Sequence, residues 1–146
     1  MHRLVASLID EWFQYFLSIM KKILAVEDDP SMRWLLKNLL RTRYEVVTKN
    51  NGLDAFSWLS VQNIPDLIIS DIKMPVMDGF EFLENLSISG LYKNIPVLIL
   101  TGVADSSTLK RCQELGAYSY LIKPFKPSEL LGKVAFPFVS EMFLQT

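Results

Sequence analysis

Five short apolar runs, alternating with five helical patterns, constrain this chain more than any other feature. The runs are Ile23–Val26, Tyr44–Thr48, Asp66–Ser70, Pro96–Leu100 and Tyr118–Ile122. They are short and largely apolar, with β-branched residues prominent, as expected of strands with both faces buried. Between them the spacing turns helical. Pro30 and Ser31 open a helix to Leu40, with Met32, Leu35, Leu36, Leu39 and Leu40 on one face. Asn50-Asn51-Gly52 is a turn signal before a helix over Leu53–Ser60. Past a loop holding Pro75 and Gly79, Phe80–Leu86 reads as a helix, and Ser106–Leu115 closes at Gly116, a helix-terminating glycine. The last helix, Pro127–Phe136, should break at Pro137. The fold class implied is α/β, a doubly wound, five-stranded parallel sheet with right-handed crossovers.

In open sheets of this kind the ligand site lies beyond the carboxyl ends of the strands. Those ends deliver Glu27-Asp28-Asp29, Asp71, Thr101 and Lys123 to one rim. Like-charged carboxylates 4 Å apart repel by about 4 kcal/mol at an effective dielectric near 20, so such a rim wants a cation. A single His and a single Cys exclude a Cys/His zinc site and an internal disulfide framework. Oxygen ligands alone point to Mg²⁺, which takes one or two carboxylates and often a phosphate oxygen. Thr101 adds a hydroxyl, and Lys123 a mobile charge suited to phosphate. Metal, lysine and hydroxyl converging on one more carboxylate are the equipment for forming an aspartyl phosphate.

The four blocks that carry this chemistry are Val-Glu-Asp-Asp (26–29), Asp-Ile-Lys-Met-Pro-Val-Met-Asp-Gly (71–79), Leu-Thr-Gly (100–102) and Tyr-Leu-Ile-Lys-Pro-Phe (120–125). In order and spacing they resemble the response-regulator receiver domains of two-component phosphorelays, including the stand-alone chemotaxis type, over about residues 21–136. The resemblance implies a flavodoxin-like (βα)5 fold with strand order 2-1-3-4-5. It implies that Asp71 is the phosphoacceptor, served by a sensor histidine kinase or a histidine phosphotransfer protein. It further implies Mg²⁺ held by Asp28 and Asp71, by Glu27 through water, and by the backbone carbonyl of Lys73. Thr101 and Lys123 would bind the phosphoryl group, and Tyr120 would turn inward as Thr101 moves. Pro124 would follow a cis bond, while Asp78 and Gly79 would shape the acceptor loop. Lys73 and Val103 would flank the site and tune hydrolysis. Gly102 stands where the family commonly has Ala, leaving more room beside the phosphate. The chain would not be an enzyme beyond phosphorylating itself from a donor and dephosphorylating itself.

Two neighbouring classes fit less well. A haloacid-dehalogenase-type phosphohydrolase would carry an acid/base Asp where Lys73 stands, and no cap domain is legible. A flavodoxin-like FMN carrier would need a Ser/Thr-rich phosphate loop after the first strand. A pseudo-receiver that binds partners without phosphorylation is the remaining alternative, weighed down by the intact residue set.

Outside the body, aromatic residues crowd the ends, four in residues 1–20 and four in 125–146. Residues 1–20 plot as an amphipathic helical extension. Arg3, Ser7, Asp10, Glu11, Gln14, Ser18 and Lys21 share one arc, and Leu4, Leu8, Trp12, Phe13, Tyr15, Phe16 and Ile19 fill the rest. The apolar face can pack on the body, form a homodimer or partner contact, or lie on a membrane; the polar arc is too poor in Lys/Arg to favour the last. Met20-Lys21-Lys22-Ile23 also reads like a natural start, which would make residues 1–19 an upstream extension. No 18-residue uncharged stretch suits a transmembrane span, so a cytoplasmic location is expected. Residues 137–146 read as an apolar tail. A net charge of −1 and the lack of a basic face argue against nucleic acid, so the expected output is contact with a downstream protein.

Overall fold

The computed structural model describes residues 1–144, apart from the side chains of 17, 18 and 141–144. Its elements run α1 (His2–Ile19), β1 (Lys22–Val26), α2 (Pro30–Leu40), β2 (Glu45–Lys49), α3 (Gly52–Ser60), β3 (Leu67–Asp71), α4 (Gly79–Ser87), β4 (Val97–Thr101), α5 (Ser106–Glu114), β5 (Ser119–Ile122) and α6 (Pro127–Leu144). The five strands form one sheet in the order β2-β1-β3-β4-β5, every pairing parallel. This is the fold class and strand order expected.

Side chains alternate across a strand, and here both faces are buried. Leu24, Val26, Ile68, Val97 and Ile99 pack with Ala55 and Leu59 of α3, Phe82, Leu83 and Leu86 of α4, and Cys112 of α5. Their neighbours Ile23, Ala25, Ile69, Leu98, Leu100 and Leu121 pack on the other face with Leu36 and Leu40 of α2 and Leu130 and Val134 of α6. Two helices cover one face and three the other, which is why the strand sequences read as unbroken apolar runs. Four body helices start on a side-chain cap. Asp29, Asn51, Asp78 and Asp105 accept the backbone N–H groups of Ser31, Asp54, Glu81 and Thr108. Gly116 takes φ +90° just beyond α5, the left-handed conformation that a helix-ending glycine supplies.

One expectation fails, at the C-terminal end. Pro137 does not stop the last helix: α6 continues through it to Leu144, so the tail expected over residues 137–146 is helical as far as it is described. Residues 145 and 146 lie outside the described residues. An interior proline costs about 3 kcal/mol, and packing offsets it here. Phe138, one residue on, sits against the Ile23–Val134 cluster with its ring 5.7 Å from that of Tyr44. Lys21 Nζ covers the same ring at 5.7 Å.

Of the alternatives open for the apolar face of α1, packing on the protein's own body is not what the structure shows: residues 1–16 are all exposed, Trp12 to 72% and Leu4 to 70%. No helix among the described residues is long and apolar enough to cross a membrane.

Candidate functional site at the strand ends

Parallel pairing brings the carboxyl ends of four adjacent strands to one edge. In register, Val26 lies beside Ser70, Asp71 beside Leu100, and Thr101 beside Ile122. Glu27 follows β1, Asp71 ends β3, Thr101 ends β4, and Lys123 follows β5. Lys123 N–H donates to the Thr101 carbonyl at 2.8 Å, which extends the last ladder by one residue and aims the lysine back over the rim.

Lys123 Nζ bridges two carboxylates, at 3.0 Å from Glu27 Oε2 and 3.2 Å from Asp71 Oδ2. Glu27 is 1% exposed and Asp71 8%, while Asp28 stands open to solvent. Carboxylate oxygens of Glu27, Asp28 and Asp71 all lie within 4.8 Å of one another. One lysine against three carboxylates leaves an excess of negative charge. Burial and the neighbouring Asp71 charge push Glu27 up to about 7, against the pull of Lys123. Burial acts to lower Lys123, but the Glu27 hydrogen bond and the Asp71 charge outweigh it and hold the ammonium above its usual range. The donor set, all carboxylate oxygen with no His or Cys, fits a hard divalent cation shared among Glu27, Asp28 and Asp71.

Asp71 opens onto a cavity of about 470 Å³ lined also by Lys73, Phe80, Thr101, Gly102, Val103, Thr108 and Lys123. Its Oδ1 accepts the Ile72 N–H at 2.8 Å, leaving Oδ2 to Lys123. The Thr101 hydroxyl does not reach toward Asp71. It is engaged with its own loop, donating to the Val103 carbonyl at 3.1 Å and accepting the Val103 N–H at 3.0 Å. Lys73 is exposed at the mouth. Nothing lies within 4 Å of where a β-carbon on Gly102 would stand, consistent with the extra room expected there.

Behind the acceptor, Asp78 caps α4 and the Gly79 N–H donates to the Ile72 carbonyl at 2.7 Å. Both residues therefore hold the acceptor loop rather than enter the cavity. The Lys123–Pro124 bond is cis. Tyr120 stands apart: it is 40% exposed and lines a separate groove with Ser106, Leu109 and Cys112, with Lys133 Nζ 5.7 Å above its ring.

Arg33 was not singled out from the sequence. Its guanidinium donates to the carbonyls of Glu27 and Asp28, each at 2.8 Å, tying the acidic loop to α2. The available signal was a cation close to a helix N-terminus, where the dipole disfavours it. Phe80 and Thr108 were also missed. They reach the cavity from the starts of α4 and α5, and Arg111 stacks 4.1 Å over the Phe80 ring.

Known proteins similar to this chain are numerous. Residues 23–135 match the response regulator receiver domain family. The two-component response regulator ORR3 of Oryza sativa is 37% identical over 109 residues, 74% of this chain and 83% of that protein. The hybrid signal transduction histidine kinase D of Dictyostelium discoideum is 37% identical over 112 residues, which is 77% of this chain but 7% of the kinase. Among solved structures, the chemotaxis protein CheY4 of Vibrio cholerae superposes with a TM-score of 0.74 at 37% identity, covering 79% of this chain and 96% of that one. The receiver domain of sensor histidine kinase PA1611 from Pseudomonas aeruginosa gives a TM-score of 0.72 at 28% identity, with 80% and 95% coverage, and carries a magnesium ion in its active-site cleft. With the sheet order, the acidic rim and the bridging lysine all in place, the chain belongs to the response regulator receiver domain family of two-component signalling.

Proposed function

We propose that the chain is a phosphoacceptor switch in which Asp71 takes a phosphoryl group from a phosphohistidine on a sensor histidine kinase or histidine phosphotransfer protein. The observation that carries this reading is the Lys123 bridge. It holds Asp71 at the cavity mouth while Glu27 and Asp28 stand close enough to share a cation with it.

In the proposed step an Asp71 carboxylate oxygen attacks phosphorus. The new O–P bond forms as the P–N bond of the donor phosphohistidine breaks, and its electron pair and a proton leave with the imidazole. Asp28, Asp71 and the Lys73 carbonyl, with Glu27 through water, would hold Mg²⁺, which when bound would neutralise charge in the phosphoryl-transfer transition state. Lys123 exchanges its contact with Asp71 for the new phosphoryl oxygens. Thr101 gives up its hydrogen bonds to Val103 and turns its hydroxyl to the same group, drawing the β4–α5 loop inward. Tyr120 follows from its exposed position, and the groove it lines changes shape for a downstream protein. New charge and acceptor oxygens thus bias a two-state loop. Lys73 and Val103 set how water reaches the acyl phosphate. The chain's own chemistry is confined to self-phosphorylation and self-dephosphorylation, in the cytoplasm, with proteins rather than nucleic acid as partners.

The test is incubation with Mg²⁺ and acetyl phosphate, followed by intact-mass measurement of the wild type and Asp71→Asn. One phosphoryl adduct on the wild type and none on the variant is the expected result. An adduct that persists in the variant removes Asp71 from the role, and no adduct even with a phosphohistidine donor makes the chain a receiver controlled by other means.

A further inference from the structure

The exposed helix α1 carries a second, unassigned surface. Val5, Ile9, Trp12, Phe16 and Ile19 are spaced alternately four and three residues apart, the seam of a helix that pairs with another helix. Leu4, Leu8 and Phe13 widen that face, and all eight side chains are exposed. The Trp12 ring meets Tyr15 edge-on at 6.3 Å, which presents a broad aromatic surface rather than a closed one.

Three observations choose the occupant. At 18 residues the helix is about 27 Å long. With aromatics offering about 150–250 Å² each, its apolar face amounts to roughly 800 Å², the share one partner contributes to a stable interface. The polar arc sets Arg3 and Lys21 against Asp10 and Glu11, a charge-balanced stripe that gives an anionic lipid surface no net attraction. The seam is also self-complementary, since an apolar helix face without charged flanking positions matches a copy of itself. We infer that α1 is a homodimerisation helix, whose partner is α1 of a second copy of this chain.

Its placement makes the association independent of the acceptor. Only Met20 and Lys21 separate α1 from the start of β1, at the pole opposite Glu27 and Asp71. Paired helices at that pole leave both acidic rims open, and no contact in the pairing changes when Asp71 is modified.

Light scattering on the eluting 146-residue chain tests this directly. The expected mass is twice 16.8 kDa for the wild type and also for Asp71→Asn. The double variant Ile9→Glu/Phe16→Glu should run at the mass of one chain, with the unfolding midpoint of the receiver body retained. A control on the polar arc, Ser7→Glu/Gln14→Glu, should remain dimeric. A monomeric wild type overturns the inference, as does a dimer that survives Ile9→Glu/Phe16→Glu. So does a chain that stays monomeric and co-sediments with phosphatidylcholine/phosphatidylglycerol vesicles.

Discussion

Gly79 lies so close to the backbone of Asp71 that a β-carbon on it would overlap the Asp71 carbonyl oxygen and come within 2.8 Å of Ile72 Cα. Both obstacles are backbone, so neither can swing aside. The acceptor strand and the start of α4 are thereby locked to each other, and the shape of the acceptor loop depends on a missing side chain.

Gly79→Ala should therefore destabilise the fold by about 1–3 kcal/mol, the usual cost of overpacking, and slow phosphoryl uptake at Asp71. Gly102→Ala, where a β-carbon meets nothing within 4 Å, should stay within about 0.5 kcal/mol of the wild type. Urea unfolding of both variants checks the pair. Equal midpoints would mean that the close approach carries no structural weight.

Lys123 sits on one oxygen of each of two carboxylates that would help hold a cation, Glu27 Oε2 and Asp71 Oδ2. Lys123→Ala removes a competing charge, so Mg²⁺ should bind about tenfold more tightly, equivalent to about 1.4 kcal/mol. The same variant should lose phosphoryl uptake, because nothing replaces the ammonium at the new oxygens. Calorimetric titration reads the affinity. Weaker Mg²⁺ binding in the variant would show that the lysine organises the carboxylates instead of competing for them.

Glu27 titrates upward, from 4.5 to about 7, chiefly through burial. A group whose folded pKa lies above its unfolded one contributes stability below the unfolded value, and that contribution is lost as pH rises through the folded value. In EDTA, stability should fall between about pH 5 and pH 7.5, while the Lys123 ammonium, held above its usual range, stays charged throughout. Mg²⁺ should flatten the decline, and its apparent affinity should rise over the same interval as Glu27 gives up its proton. Unfolding curves at pH 5.5 and 7.5, with and without Mg²⁺, read both effects. A Glu27→Gln variant that keeps the same pH dependence would assign it to another group.

Phe138 holds α6 across Pro137 by packing on Tyr44 and under Lys21. Phe138→Ala should cost about 2 kcal/mol, below the full cost of losing a buried aromatic because the ring is only partly covered. A thermal unfolding scan measures it. No change would return residues beyond Pro137 to the status of an unattached tail.

The site was legible because each of its residues sits at the boundary of an element whose pattern is strong. The apolar runs that end at Val26 and Ser70 put Glu27 and Asp71 at strand ends by pattern alone, and parallel pairing then brings those ends together. Arg33 escaped because it acts on backbone carbonyls five and six residues earlier, a partnership that leaves no side-chain pattern. Pro137 misled because local propensity was weighed without the tertiary contact of Phe138. The fate of α1 was open for a different reason. Amphipathicity states that a face must be covered, and it is silent on by what.

The central claim is that Asp71, set between Lys123 and the Glu27-Asp28 pair, is the residue that carries the phosphoryl group. Its most direct test is to phosphorylate the full chain from a phosphohistidine donor with Mg²⁺, trap the acyl phosphate by borohydride reduction, and map the modified peptide by mass. A single modification is expected, at position 71, that disappears in EDTA. Modification at Glu27 or Asp28, or an unmodified Asp71 under the same conditions, would contradict it.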